Sequence, residues 1–423
     1  MSTKLMLLLF LLSTSPLLAQ MPKAENSIPP SDAVVESEAT KAPEQLQHWG
    51  SVNPEMLPEL FSSTNVGSWI NQHRVRYYGW VDGSGQYIST GSGELPVGFP
   101  VPSRFADGLI VDAGWIIVDR PLAEDREGWD WGFRVDFYAG QDAALLRPMN
   151  SFGPQGPRFG TDFRQVFLSL HIPIIAKGGL DLQLGRQNVP IGYETLMGPY
   201  RPLYTETYYW IFHQVAATGV FGTLHATRKL DLVAGADLNY NTAFELRGRA
   251  PSYLAKAIYS PSVSHKTTFI GDVYTGPQPV PTLAGHIGSW QTLSEVEVRH
   301  DWSPRVFQVV QGSYEWDFND PATKGKTSTA QGAFSMVTVH LTRQTVDLNL
   351  RGEWMHDVNG IRTHFPGTFG ESTVGLNFMP KPWINFRPEI RGDFASAPIL
   401  GPIDATIHRK SQLTAGGDLI FKF

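Results

Sequence analysis

The sequence predicts an all-β chain closing into a transmembrane, antiparallel, up-and-down β-barrel of about 16 strands (range 12–18), with short periplasmic turns and long extracellular loops. Three observations predict it. Long segments carry apolar residues at every second position, the connections between them alternate short and long, and the chain ends on such a segment. In the terminal "LTAGGDLIFKF", Leu413, Ala415, Gly417, Leu419, Phe421 and Phe423 share one face. Free termini fray, so a terminus patterned in this way is expected to be tied into a sheet with something apolar to face. In hydrocarbon no sheet edge is tolerated, so the last strand must pair with the first.

The bulk numbers agree. The 423 residues are 42% hydrophobic, 17% charged and 12% aromatic, with 41 Gly, 31 Pro, 12 Trp and no Cys. The charged fraction lies below that of ordinary soluble domains. A mean hydropathy of −0.17 excludes a helical membrane bundle, which needs several apolar runs of about 20 residues. A barrel has an average composition because its apolar residues alternate with polar ones. The absence of Cys excludes a disulfide scaffold, thiol catalysis, Cys-ligated metal and a lipidated N-terminal Cys. The net charge of −6 argues against nucleic acid as a partner.

The elements follow in order. Residues 1–19 carry Lys4, an apolar run from Leu5 to Leu12 and small residues up to Ala19, the layout of a secretory signal peptide. Its removal leaves 33 basic residues against 40 acidic, a net charge of −7. Residues 20–70 are polar, Pro-rich and without period, so a flexible lead is expected there, with "HWGSVNPEMLPELF" as a short helix or docking segment. The barrel is expected over 71–423. Its strands are placed near 74–82, 109–119, 130–140, 163–172, 179–187, 216–227, 229–240, 252–259, 266–275, 291–302, 305–318, 328–341, 345–357, 371–380, 383–394 and 412–423.

The alternation is clearest in three of them. Val346, Leu348, Leu350 and Trp354 oppose Asp347, Asn349, Arg351, Glu353 and Asp357. Ile384, Phe386, Ile390 and Phe394 oppose Asn385, Arg387, Glu389, Arg391 and Asp393. Trp131, Phe133, Val135 and Phe137 oppose Arg134, Asp136 and Tyr138. Strands of ten or more residues suit a tilted bilayer crossing, whereas sandwich strands are typically about five or six. Between strands, "MPKP", "LTRQT", "WSPR" and "TRK" are tight. The intervening connections are long, up to the stretch from Asn188 to Val215. A soluble β-protein has no reason to sort loop length by parity. Both termini fall on the short-turn side.

Several stretches resemble the β-barrel porin-2 (OmpL-like) family of bacterial outer-membrane proteins. They are "IIVDRPLAEDREGWDWGFRVDFYAGQDA" (116–143), "DFRQVFLSLHIPI" (162–174), "LGRQNVPIGYE" (184–194) followed by "YTETYYW", and "INFRPEIRGDF" (384–394). The likeness runs through nearly the whole chain after about residue 70. It departs at Gly392, where a Tyr is more usual. It implies an outer-membrane barrel with pore activity in a Gram-negative-type envelope and supplies no site residues.

No enzyme signature holds. There is no G-x-S-x-G elbow, H-E-x-x-H, G-x-x-x-x-G-K or EF-hand loop, so no catalytic residue, metal or cofactor is expected. "DFNDP" (317–321) reads as an Asx-capped turn more readily than as a Ca²⁺ loop, and the 12 His show no ligand spacing. The expected function is passive diffusion of small hydrophilic solutes or ions through a water-filled lumen. The alternative is a surface scaffold or adhesin with an occluded lumen. Arg134, Asp136, Asp181, Glu295, Glu297, Arg299, Arg351, Glu353, Arg387, Glu389, Arg391 and Asp393 are the expected pore-lining residues. The loop after the fifth strand is the candidate constriction, with Glu194, Arg201 and Glu206 at the narrowest point and its aromatics as anchors, or as stacking platforms for sugar rings. Outer-membrane lipid and, through the strand ending in Phe423, the barrel assembly machinery are the expected partners; a homo-oligomer is left open.

Overall fold

The computed structural model describes residues 63–423 except 96–107, 124–127, 147, 149, 150, 152, 154, 155, 157, 214, 215, 240, 241, 247, 249, 263, 265, 279–287, 343, 344, 404 and 405. The expected signal peptide and the "HWGSVNPEMLPELF" segment lie outside these residues. A helix, α1 (Asn65–Gln72), ends just before the barrel.

Sixteen strands follow: β1 (Arg76–Ile88), β2 (Leu109–Arg120), β3 (Asp130–Gly140), β4 (Gly160–Ile172), β5 (Leu180–Gln187), β6 (Ala217–Thr227), β7 (Leu230–Asp237) and β8 (Ser252–Tyr259) form one half. β9 (Thr267–Pro277), β10 (Trp290–Ser303), β11 (Val306–Asp320), β12 (Lys326–His340), β13 (Val346–Asp357), β14 (Gly367–Lys381), β15 (Ile384–Ala395) and β16 (Ser411–Lys422) form the other. Each pairs antiparallel with its neighbours, and β1 pairs with β16, so the sheet is a closed barrel. A short helix, α2 (Gln141–Leu146), caps the end of β3.

Two expectations differ in detail. β1 runs six residues beyond its expected end, through Gly83 and Gly85, because glycine weakens strand propensity without preventing ladder pairing with β16. β5 and β7 have eight residues each and are shorter than the expected 179–187 and 229–240, whereas β8 spans the expected 252–259. β5 stops at Gln187, where the chain leaves the wall.

The alternation sorts residues by side. Val296, Leu168, Leu184, Ile116 and Trp131 point outward and are more than half exposed, at 67%, 59%, 57%, 55% and 55%. Aromatic rings stand on the outside at both ends of the strands. Trp131, Trp302, Trp383 and Phe386 lie toward the short turns; Tyr87, Tyr253, Trp290, Phe318 and Phe394 lie toward the long loops. Paired girdles flanking an apolar band mark a bilayer-spanning barrel.

The closing seam answers why the chain ends on a ring. Gly79 and Phe423 exchange both backbone hydrogen bonds at 2.9 Å. A Cβ on Gly79 would stand 2.8 Å from the Phe423 ring and 2.1 Å from the Trp115 carbonyl oxygen, so glycine is what lets the terminal strand close this tightly.

Candidate functional site: the lumen and its inner loop

The polar stripes of the strands face the lumen, and all twelve wall residues expected from alternation lie on that side. They do not, however, face open space equally. The chain from 188 to 213, following β5, folds inside the barrel. It bonds to inward side chains on β1, β8, β10, β11, β13 and β15, on opposite sides of the lumen.

On the β13–β15 side the loop's main chain is held by charge. Tyr204 N–H donates to Glu389 at 2.8 Å, and Thr205 N–H joins it. Tyr208 and Tyr209 N–H donate to the two oxygens of Glu353, both at 2.7 Å. Arg387 donates to the carbonyls of Gly198 and Arg201 at 2.7 Å and of Leu203 at 3.3 Å. Arg351 reaches the carbonyls of Thr205 at 2.6 Å and Glu206 at 3.1 Å, and Arg391 also donates to Glu206. Asn349 caps Pro202 at 2.9 Å. A buried loop must satisfy its backbone groups, and here carboxyl and guanidinium side chains do so, each guanidinium bond contributing roughly 1.5–3 kcal/mol.

The loop's side chains extend the anchoring. Glu194 accepts from Arg351 at 2.9 Å and from Thr207. Arg201 and Glu206 pair with each other. Tyr204 O–H reaches Ser84 at 2.9 Å and Tyr208 O–H reaches Asp393 at 3.0 Å. At the loop's root, Lys256 donates to the Pro190 carbonyl at 2.8 Å, Tyr193 N–H donates to Gln311, and His213 meets Glu295 at 2.9 Å. Burial alone would lower the His213 pKa; the Glu295 carboxylate outweighs it and leaves the imidazole above its ordinary value. Gly192 faces the His213 ring at 2.0 Å from where a Cβ would stand, with φ +67°, so no other residue fits there.

The remaining expected wall residues pair among themselves. Arg134 bonds Asp136 at 2.7 Å, Arg299 pairs with Glu297, and Arg391 with Asp393 at 2.8 Å. Arg351 also holds Glu371 at 2.7 Å, and Arg387 holds Asp418. Asp181 bridges His171 at 2.5 Å and His225 at 3.1 Å, and His225 continues to Asp231 at 2.9 Å. In "DFNDP", Asp320 accepts from Ser328. Among the described residues no group of three or more His, Cys, Asp or Glu is arranged to hold a metal ion.

The β1–β3 side is built otherwise, and the alternation rule missed it. Trp80, Trp115 and Tyr138 point inward on adjacent strands in register. They stack at 5.1 and 4.6 Å between centroids. Tyr200 meets Trp80 edge-on at 6.2 Å, and Leu196 and Met197 pack on the same cluster. Beside it lie Asp82, Asp112 and, from α2, Asp142, all buried and none in an ion pair among the described residues.

These features, a closed barrel of sixteen strands with a loop inside, meet a family match. The chain belongs to the family described as "Putative beta-barrel porin-2, OmpL-like", whose model matches residues 74–423. Solved structures share the fold at low identity. The outer membrane channel DcaP of Acinetobacter baumannii is 10% identical, with 82% of this chain and 97% of that one covered at a TM-score of 0.55. The anion-selective porin from Comamonas acidovorans is 9% identical, with 82% and 99% covered at 0.55. Pseudomonas putida OprB in its high-pH structure is 10% identical, with 85% and 96% covered at 0.53. No curated protein matches the chain in sequence. This porin is a bacterial outer-membrane channel for small solutes; its family and fold are those of a channel rather than an enzyme.

Proposed function

We propose that this porin passes small hydrophilic solutes by passive diffusion, through a lumen narrowed by the 188–213 loop. The observation that carries the reading is the loop's attachment across the barrel, to Lys256 on β8 and to Glu353 and Glu389 on β13 and β15. A loop so fixed sets the width of the passage. Arg134, Asp181 and Arg299 keep 18%, 18% and 12% side-chain exposure, and they are the wall residues that a solute would meet. Arg351, Glu353, Arg387, Glu389 and Arg391 hold the loop, and Glu194, Arg201 and Glu206 serve from within it. The exposed apolar band contacts outer-membrane lipid, and the strand ending in Phe423 is the segment offered to the barrel assembly machinery.

Deleting residues 196–208 and recording single-channel conductance in a planar bilayer tests this. Conductance is expected to rise; an unchanged value defeats the constriction. A second reading, a surface scaffold with a blocked lumen, is favoured by the near-complete burial of Arg387, Glu353 and Arg391, at 1%, 1% and 0% exposure. Swelling of proteoliposomes in small sugars separates the two, since a scaffold leaves them impermeable.

A further inference from the structure

We propose that the channel prefers cations, and that Asp82, Asp112 and Asp142 set the preference. This deepens the channel reading and depends on it.

The argument starts from how inward charges are used. Arg351, Arg362, Arg387 and Arg391 are each bonded to a carboxylate, as are Arg134, Arg186 and Arg299. A guanidinium paired in this way presents little net field to a passing ion. Arg164 differs, its Nε donating to Asn188 at 2.7 Å. The acids behave otherwise on one side of the barrel. Asp82 on β1, Asp112 on β2 and Asp142 on α2 have no ion pair, and they are 3%, 2% and 7% exposed. Among the described residues Asp82 Oδ1 lacks a hydrogen-bond partner, and the Ser84 hydroxyl, which accepts from Tyr204 O–H, keeps its own proton to donate toward Asp112.

Donors are left open beside them. The Trp80 indole N–H, two residues from Asp82 on the same strand face, and the Tyr138 hydroxyl, within electrostatic reach of Asp142, are fully buried and unpartnered. Arg387 from β15 and Arg201 from the loop bring positive charge to the trio; Arg387 is also bonded to Asp418, and Arg201 is shared with Glu206. Four carboxylates (Asp82, Asp112, Asp142, Glu206) against one guanidinium leave three negative charges when all are ionised. Asp418, close by, is neutralised by Arg387. A wall with uncompensated carboxylates enriches cations, inorganic or amine, and repels anions. The fold itself does not decide the sign, since a similar barrel is the anion-selective porin from Comamonas acidovorans.

The test is reversal potential for the purified full-length protein in a planar bilayer under a KCl gradient at pH 8.5. The expected potential favours K⁺ over Cl⁻, by about fivefold for one uncompensated charge at contact in water. The preference should shrink as salt rises. The triple variant Asp82→Asn, Asp112→Asn, Asp142→Asn should lower the permeability ratio at least about twofold. Should the triple variant not fold, Asp142→Asn alone, on a helix outside the barrel strands, should lower it, and Arg201→Gln should raise it. An open channel with no preference, or one favouring Cl⁻, overturns the inference and leaves the channel reading intact. So does a ratio unmoved by Asp142→Asn and Arg201→Gln. A protein that inserts without conducting removes the channel reading and this inference with it.

Discussion

The two sides of this lumen treat the same inner loop differently. Along β13–β15, charged side chains reach the loop's backbone and satisfy its N–H and C=O groups one by one. Along β1–β3, stacked rings and aliphatic side chains pack against it, and among the described residues Asp82 and Asp112 have no ion pair while Arg134 holds Asp136. The first side fixes position; the second supplies a contact surface and a field. A count of charged residues therefore says little about selectivity, because most charges on the clamping side are committed to holding the loop.

Breaking the clamp should have the largest effect. Arg351→Leu removes four bonds to the loop and its ion pair with Glu371, leaving that carboxylate buried without its partner. Breaking a buried pair by removing one member costs roughly 3–5 kcal/mol. The expected result is a lower unfolding temperature by heat-dependent gel migration, together with larger and noisier single-channel currents. A variant that loses stability but conducts as the parent does would show that the loop is held without Arg351.

The β1–β3 arc should respond in stability while leaving the pore nearly unchanged. Trp115→Ala deletes a ring that is 1% exposed and stacks on both Trp80 and Tyr138. Large-to-small changes of this kind cost about 3–5 kcal/mol. With the β13–β15 bonds intact, conductance should change far less than in Arg351→Leu. Equal rises in current in both variants would erase the distinction between the sides.

Much of the fold could be read from the residues, and the reason is physical. Alternation in β13, β15 and β16 is unbroken because one stripe meets lipid and the other polar neighbours, so each residue declares its side. Loop-length parity is less regular, since β11 and β12 extend into the expected long connection between them and leave only residues 321–325, while 121–129 on the short-turn side is longer. The inner site was harder. Glu353, Arg387 and Glu389 could be placed inward, but their bonds to loop backbone depend on contacts more than 140 residues distant in sequence. Asp82 closes the expected first strand, whose inward face carries Tyr78 and Trp80 against the polar-in rule, so the side on which it falls reads ambiguously. Asp112 sits in an apolar segment whose inward face carries Ala113, Trp115 and Ile117, against the polar-in rule, so the strand's sides read ambiguously. Asp142 lies on a six-residue helix with no periodicity to announce it.

Asp142 also gives the comparison its finest test, because it titrates in an accessible range. Burial pushes its carboxyl up to about 7; Arg201 opposes that shift and Asp418 adds to it. The other titratable groups around it are Asp112 on β2 and Tyr138 on β3. The sign follows from the raised folded value. The folded protein holds this proton more tightly than the unfolded chain, with its ordinary carboxyl value of 3.8, so the stabilisation is present at low pH and is lost as pH climbs through about 7. Over the same interval the wall gains a negative charge. Cation preference should therefore increase from pH 6 to pH 8, and Asp142→Asn should flatten that rise while leaving the pH 6 value nearly unchanged. A rise of equal size in Asp142→Asn would move the source of the field away from α2 and onto another part of the wall.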